Sequence, residues 1–167
     1  MARLMRSTEI IIIGGGPGGY EVAAELAAHD HKVILIERDH LGGTCLNRGC
    51  IPTKCLCASA STAMTVASAD DFGIDISAFS VDYGKAVERA NGVINQLREG
   101  IDAMLRDVEE IKGEASLKPD KIVVVNGEEI SAERIIIATG SRPAVLDIPG
   151  AKFAGPSDEF FSLTEIP

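Results

Sequence analysis

The sequence has no excess of positive charge. Its 16 lysine and arginine residues stand against 25 aspartate and glutamate residues, which gives a formal net charge of -9 at pH 7 and a pI near 4.8. Proteins bind phosphate backbones through basic surfaces, and this composition does not supply one. The charge balance therefore argues against a nucleic-acid partner and predicts an acidic, solvated surface.

Long apolar runs are also missing. Four isoleucines occupy residues 10–13, but Gly14 ends the run, which is too short for the apolar core of a signal peptide. No other segment approaches the roughly 20 apolar residues that cross a bilayer. We therefore expect a cytoplasmic protein without a membrane partner.

The cysteines and histidines also lack the spacing of a metal site. Zinc sites place cysteine or histidine ligands in closely spaced pairs, and the four cysteines do not follow that pattern. The three histidines fall in polar turns, where we expect them to face solvent. We predict no metal site and expect Cys55 and Cys57 to be packing residues. Paired cysteines in the cytoplasm more often serve catalysis or redox sensing than a static cross-link.

A nucleotide-binding pattern is present near the N-terminus. Residues 8–13 are a β-branched apolar run typical of a buried parallel strand, and residues 20–28 are alanine-rich and helical. Between them, Gly14, Gly16 and Gly19 match G-x-G-x-x-G. In that motif the glycines allow a tight turn, approach of a pyrophosphate, and close packing of helix on strand.

An acidic residue follows at the expected distance. Residues 32–36 form the second predicted strand, and Glu37 stands at its C-terminal end, roughly 20 residues past the glycines. Its carboxylate can accept hydrogen bonds from ribose hydroxyls. The strand, the glycine turn, the helix and the acid together predict dinucleotide binding, and a purely structural role is the alternative.

Two cysteines five positions apart dominate residues 42–54. On an ideal helix their Cα atoms would lie about 8.7 Å apart, beyond the limit for a disulfide, so Cys45 and Cys50 can bridge only across a distorted turn. Gly49 supplies backbone freedom, and Pro52 suits the first turn of a following helix. A thiol at a helix start favours the thiolate form, as in a working dithiol. Two inert, buried cysteines are the alternative.

The middle of the chain is predicted to be helical. Residues 53–69 and 81–108 have helical patterns, the second with an apolar stripe, and the polar residues 68–80 connect them. The stripe is typical of a core-facing helix.

The following segment is predicted to form strands. Residues 110–117, 121–125 and 128–130 indicate a small antiparallel meander with a hairpin turn at 126–127. Residues 134–138 are a further apolar strand. We predict an α/β, Rossmann-like FAD-binding fold with a parallel sheet, a long helical excursion and a small antiparallel β-meander. A domain over residues 1–150 would be followed by a linker over residues 151–167.

The motifs together resemble a known family. The glycine turn, Glu37, residues 42–54 and residues 138–140 are similar to the FAD domain of class I pyridine nucleotide-disulfide oxidoreductases, most like the dihydrolipoamide dehydrogenase branch. The cysteine stretch is highly specific, and the resemblance covers nearly the whole chain.

The resemblance implies roles for individual residues. Cys45 would be the interchange thiol that attacks the substrate disulfide, and Cys50 would be the thiol nearer the flavin, with Cys45 and Cys50 forming a redox-active disulfide. Residues implied in FAD binding are Gly14, Gly16, Pro17, Gly19, Glu37, Arg38, Gly43, Thr44, Cys45, Lys54, Ala115, Ala138, Thr139 and Gly140.

The resemblance also implies parts that this sequence lacks. Family members carry a second glycine motif for NAD(P)H and an interface domain with a catalytic His-Glu pair, and neither is found here. The expectation is an inactive fragment of an enzyme that passes electrons from dihydrolipoamide to the disulfide, to FAD and to NAD. Implied partners are lipoamide or another disulfide substrate, a second copy in a homodimer, and a 2-oxoacid dehydrogenase complex. A stand-alone nucleotide-binding or redox-sensing module, and a fragment of a glutathione or mercuric reductase, are the alternatives.

Overall fold

The structure is a computed structural model that describes residues 6–163 and 165–166. Residues 1–5 of the predicted domain, and Thr164 and Pro167 of the predicted linker, lie outside the described residues. The helices and strands, in chain order, are β1 (Arg6–Ile13), α1 (Pro17–Ala28), β2 (Val33–Glu37), α2 (Gly43–Arg48), α3 (Cys50–Ala67), α4 (Tyr83–Met104), β3 (Glu109–Lys112), β4 (Ala115–Lys118), β5 (Ile122–Val125), β6 (Glu128–Ile137) and α5 (Ser157–Phe160).

The chain divides into two compact units. The first comprises the described residues of Met1–Cys45 and Arg98–Arg142, and the second comprises those of Leu46–Leu97 and Pro143–Pro167. These two units do not test the predicted FAD-binding domain over residues 1–150 or the predicted linker over residues 151–167. Both stay predictions.

A six-stranded mixed sheet forms the centre of the first unit, in the order β3-β2-β1-β6-β5-β4. Strands β3, β2, β1 and β6 run parallel to one another. Beyond β6, strands β5 and β4 extend the sheet in antiparallel pairing. Strands β1 and β2 are buried over residues 10–13 and 33–36, as their β-branched sequences predict. The predicted α/β fold with a parallel sheet is confirmed.

The meander differs from the prediction in two ways. Residues 110–117 were predicted as one strand, but they divide into β3, which pairs with β2, and β4, which pairs with β5. Residues 128–130 and 134–138 were predicted as separate strands, but they belong to the single strand β6. The second difference arises because the meander is continuous with the parallel sheet and shares β6 with it.

One apolar cluster joins the parallel strands to the meander. Its buried members alternate along their strands, as expected for side chains on one face of a sheet. They are Ile11, Ile13, Ile34, Ile36, Val123, Val125, Ile130 and Ala132. This packing holds the meander against the strands whose ends carry the candidate site.

Helix α4 confirms most of the predicted apolar stripe. Ala90, Ile94 and Ile101 are buried, whereas Leu97 is 42% and Met104 is 53% exposed. At 100° per residue, the two exposed side chains lie on the same margin of the stripe, so the buried arc is narrower than predicted. The helix ends at Met104, before the predicted limit at residue 108.

Candidate functional site

The predicted nucleotide-binding residues meet at the carboxyl edge of the parallel sheet. Ile13 lies level with Ile36 on one neighbouring strand and with Ile137 on the other. Backbone hydrogen bonds of 2.8 Å continue the ladders past the strand ends, from Gly14 N–H to the Ile36 carbonyl and from Ala138 N–H to the Ile13 carbonyl. Ligands of open α/β sheets bind at this edge.

Two glycines of the turn are required by close packing. Gly14 has a φ of 109°, and a Cβ there would lie 2.3 Å from the Ala138 carbonyl oxygen. A Cβ on Gly19 would lie 1.8 Å from the Gly14 carbonyl oxygen. The turn therefore fits strand, helix and Ala138 together only because both positions lack side chains.

Gly16 has a different environment. It caps the N-terminus of α1 ahead of Pro17, and a Cβ on it would meet only the Gly43 Cα, at 3.7 Å. Gly43 has a φ of 59° and opens α2, so the starts of the two helices approach each other here. Thr44 follows on the exposed side. The open space above a helix N-terminus suits a phosphate group.

The Glu37 carboxylate is tied to the glycine turn. One oxygen accepts a hydrogen bond from Gly15 N–H at 2.6 Å, and the other accepts one from Asp39 N–H at 2.7 Å. Hydrogen bonds to an ionised acceptor are among the stronger ones in proteins. The side chain predicted to bind a ribose is thereby held in one orientation beside the turn.

A cavity of about 300 Å³ lies beside Glu37. Leu35, Leu41 and Ile111 supply apolar surface, and the charged side chains come from β2, the segment after it, α4 and β3. Burial raises the pKa of Glu110, and the nearby Asp102 carboxylate raises it further. The complete lining is Leu35, Glu37, Asp39, His40, Leu41, Arg98, Asp102, Glu110, Ile111 and Lys112. A cavity lined by both apolar and polar side chains is typical of a small-molecule site.

The remaining predicted residues of the first unit lie around this edge. Arg38 is exposed and forms an ion pair with Glu114, with 3.3 Å between its guanidinium nitrogen and the carboxylate oxygen. Ala115 opens β4 and packs against the apolar cluster. Thr139 and Gly140 follow β6 and are exposed, and Gly140 has a φ of 66°.

The two predicted redox cysteines occupy the starts of two consecutive helices. Cys45 is the third residue of α2 and is half-buried, whereas Cys50 is the first residue of α3 and is exposed. Gly49, with φ -144° and ψ -108°, interrupts the helix between them, as predicted. All four cysteines in the described part of the chain are thiols. The Cys45–Cys50 disulfide stays a prediction.

Helix α3 presents one buried and one exposed face. Pro52, in its first turn as predicted, and Cys55 are buried. Lys54 is exposed, and so is Cys57. The expectation that Cys57 is a packing residue is therefore wrong. It lies two residues, or about 200° around the helix, from the buried Cys55, and so on the opposite face.

Sequence reasoning missed several residues at this site. The Gly15 N–H donates a hydrogen bond to the Glu37 carboxylate. The Gly15 carbonyl accepts a hydrogen bond of 2.8 Å from the Gly42 N–H. Tyr20 lies in the first turns of α1, where burial raises the pKa of its phenol and negative charge on Glu21 and Cys45 raises it further. Gly15 is a variable position of the glycine motif and Tyr20 lies just after its last glycine, so the pattern contains no signal for either.

The described residues contain neither a membrane-spanning helix nor a cluster of metal ligands. No helix among them is both long and apolar enough to cross a membrane. No group of three or more histidine, cysteine, aspartate or glutamate side chains among them is arranged to hold a metal ion.

Comparison with known proteins gives a consistent match. Residues 8–166 match the family described as pyridine nucleotide-disulphide oxidoreductase. The chain is 44% identical to a dihydrolipoyl dehydrogenase of Acholeplasma laidlawii over 154 residues, and 40% identical to one of Bacillus subtilis over 170 residues. Among solved structures it resembles the HOCl-induced flavoprotein disulfide reductase RclA from Escherichia coli, with 32% identity and a TM-score of 0.77.

These matches include most of this chain but a minority of each relative. They cover 90%, 95% and 95% of the chain, against 46%, 37% and 35% of the three proteins in the same order. The chain thus corresponds to less than half the length of the proteins that it resembles.

Proposed function

This chain belongs to the pyridine nucleotide-disulphide oxidoreductase family, and from that we propose that it is the FAD-binding, dithiol-bearing part of a dihydrolipoamide dehydrogenase. The observation that carries the proposal is the link between Glu37 and the glycine turn through Gly15 N–H. This link holds an acidic side chain beside the glycine turn that precedes a helix N-terminus, and this arrangement supports dinucleotide binding.

The residues of the carboxyl edge fit FAD. The N-terminus of α1 at Gly16 and the start of α2 at Gly43 would hold the pyrophosphate, and Glu37 would hold the adenosine ribose. The cavity lined by Leu35, Leu41 and Ile111 would take part of the adenosine end. Ala138, Thr139 and Gly140, on the neighbouring strand end, would contact the middle of the dinucleotide.

The chemistry would belong to Cys45 and Cys50. Oxidation of dihydrolipoamide to its cyclic disulfide releases two electrons and two protons, and these reduce the Cys45–Cys50 disulfide to two thiols. One thiol of dihydrolipoamide would attack Cys45 to form the mixed disulfide and release Cys50 as a thiolate. The second thiol of the substrate would then attack the mixed disulfide, release Cys45 and close the cyclic disulfide. FAD, when bound, supplies a two-electron acceptor for the dithiol and passes the electrons to NAD. Lys54, four residues after Cys50, would lie on the flavin side.

The wider setting is part of the same proposal. A dihydrolipoamide dehydrogenase would act as a homodimer in the cytoplasm and would serve a 2-oxoacid dehydrogenase complex. The dihydrolipoyl dehydrogenase relatives support lipoamide as the disulfide substrate.

Titration of the purified chain with FAD, followed by flavin fluorescence, tests the nucleotide site. Glu37→Gln keeps the shape of the side chain but removes its charge, and its amide can accept from only one of the two backbone N–H groups. We expect FAD binding to weaken about ten-fold or more, because charge-assisted hydrogen bonds contribute about 1.5–3 kcal/mol.

Glu129→Gln is the matched control. Glu129 pairs with Lys118 near the start of β6, at the end of that strand opposite to Ala138. We expect its FAD affinity to stay within about two-fold of the original, as is usual for an exposed ion pair. Failure of the unaltered chain to bind FAD, or equal effects of the two substitutions, would contradict the proposal.

A further inference from the structure

One peptide group joins the tip of the β5–β6 hairpin to the acid that is predicted to bind a ribose. The Lys112 carbonyl accepts a hydrogen bond of 2.9 Å from the side-chain amide of Asn126. The Gly113 N–H of the same peptide group donates a hydrogen bond of 2.9 Å to the Glu37 backbone carbonyl. Because a peptide group is planar, a hydrogen bond that fixes its carbonyl also fixes the direction of its N–H. The orientation of the Gly113 N–H therefore depends on Asn126.

The corner between β3 and β4 packs directly against the hairpin. A Cβ on Gly113 would lie 2.5 Å from the Asn126 side-chain oxygen and 2.7 Å from Val125 Cγ2. Val125 is 1% exposed and belongs to the apolar cluster, so it has little room to move away. The glycine thus lets the corner approach the hairpin closely enough for the Asn126 amide to reach the Lys112 carbonyl.

The same corner borders the cavity beside Glu37. Lys112 lies level with Glu37 in the pairing of β2 with β3, and both residues line the cavity. Glu37 is held through its carboxylate by Gly15 N–H and through its backbone carbonyl by Gly113 N–H. All of these residues belong to the first compact unit. Rotation of the peptide group between residues 112 and 113 would therefore disturb both the cavity wall and the main chain of Glu37.

We infer that Asn126 is a positioning residue for the cofactor site, because it orients the peptide group that fixes the main chain of Glu37. The inference rests on the proposed FAD-binding function. Asn126 acts only through this peptide group, since its side-chain amide is directed to the Lys112 carbonyl. Without that amide, a smaller fraction of the chain holds Glu37 in the orientation that binds the cofactor, and the apparent affinity falls by that fraction.

Two substitutions remove the amide and keep the turn. Asn126 and Gly127 have the positive φ values of a type I′ turn, which Asp-Gly and Gly-Gly also form. Asn126→Asp replaces the donor by an acceptor, and Asn126→Gly removes the side chain without adding charge. We expect each to weaken FAD binding about two- to five-fold in a titration followed by flavin fluorescence, the size of effect that one hydrogen bond has. If Asn126 served the turn alone, both variants would keep the original affinity.

The second measurement is the exchange of single amides with solvent deuterium in the FAD-free chain, followed by NMR. Gly113 N–H should exchange about three-fold or more faster in both variants, because its peptide group is no longer held at the carbonyl. Ala138 N–H is the reference, since it bonds to the Ile13 carbonyl at the same edge of the sheet. The ratio of the two rates separates a local change from a general loss of stability, which would accelerate both amides by the same factor.

Gly127→Ala is the matched control. It strains the other residue of the turn and leaves the Asn126 amide in place. We expect its FAD affinity to stay within about two-fold of the original and its exchange ratio to stay unchanged.

The inference would be overturned by an unchanged exchange ratio in the two Asn126 variants, by an unchanged FAD affinity in them, or by equal effects of Gly127→Ala. If the unaltered chain does not bind FAD, the proposed function fails. The exchange ratio then still decides whether Asn126 orients the peptide group beside Glu37.

Discussion

Gly19 leaves almost no room for an added methyl group. Its Cβ would lie 1.8 Å from the Gly14 carbonyl oxygen, and both groups belong to backbone that cannot rotate away. We expect Gly19→Ala to lower the free energy of unfolding by about 2–3 kcal/mol, as for other overpacked sites. Urea denaturation followed by circular dichroism measures the change.

Gly18 is the matched control in the same helical turn. A Cβ there would meet nothing within 4 Å. Because alanine has a higher helix propensity, Gly18→Ala should leave stability unchanged or raise it by up to about 1 kcal/mol. Equal destabilisation by the two substitutions would show that close packing is not the reason for glycine at position 19.

Glu110 gives the protein a specific pH dependence. Burial raises its pKa, with the Asp102 carboxylate adding to the effect. The folded chain therefore holds this proton more tightly than the unfolded chain does. Above the pKa that Glu110 has in the folded chain, its ionisation lowers the free energy of unfolding. This loss disappears as the pH falls below the pKa of a glutamate in the unfolded chain, about 4.3.

Glu110→Gln should accordingly raise the free energy of unfolding at pH 7 by about 0.3 kcal/mol, a small value because the carboxylate is only partly buried and is screened by solvent. The gain should vanish near pH 4. Denaturation curves at several pH values measure it. The exposed Glu133→Gln is the control, and a gain that stays constant with pH would contradict the prediction.

At the scale of elements, the β5–β6 hairpin depends on backbone conformation. Asn126 and Gly127 have φ values of 51° and 78°, as in a two-residue type I′ turn, and Val125 pairs with Glu128 on either side. A Cβ on Gly127 would touch nothing, so any cost of Gly127→Ala is conformational. We expect a loss of about 1–2 kcal/mol in the free energy of unfolding.

Gly100→Ala in α4 tests the same chemical change on a different backbone. Gly100 also has open space around it but lies within a helix. We expect a gain of about 0.5–1 kcal/mol, so the two alanine substitutions should have opposite signs in thermal denaturation.

Most elements of this chain could be predicted from local sequence. The strands at residues 10–13 and 33–36, the glycine turn and the Asn126-Gly127 hairpin all depend on residues that lie next to one another. The division of residues 109–118 into β3 and β4 could not be predicted, since it arises because β2 and β5 compete for neighbouring residues. The continuity of β6 was missed because β5 pairs with its residues 128–131 and β1 pairs with its residues 130–137, and β1 is far away in the sequence.

At the scale of the whole molecule, the apolar core is unevenly distributed. Four consecutive residues of β1 are buried, whereas α3 buries only Pro52 and Cys55. Segments with few buried apolar contacts open at lower free energy. We expect the amides of β1 to exchange with solvent deuterium at least about ten-fold more slowly than those of α3.

Hydrogen exchange at neutral pH with mass spectrometry of peptides measures this difference. Strand β2 should behave like β1, since residues 33–36 are buried as well. Equal protection of β1 and α3 would show that the two compact units open together.

The sequence by itself determined the glycine turn, the position of Glu37 at a strand end and the helix break between Cys45 and Cys50. Each follows from the backbone freedom or periodicity of a few adjacent residues. Only the tertiary structure decided that Gly15 N–H orients Glu37, that Cys57 is exposed and that Arg48 pairs with Asp158. These depend on which surfaces meet after the chain has folded, and adjacent residues do not encode that.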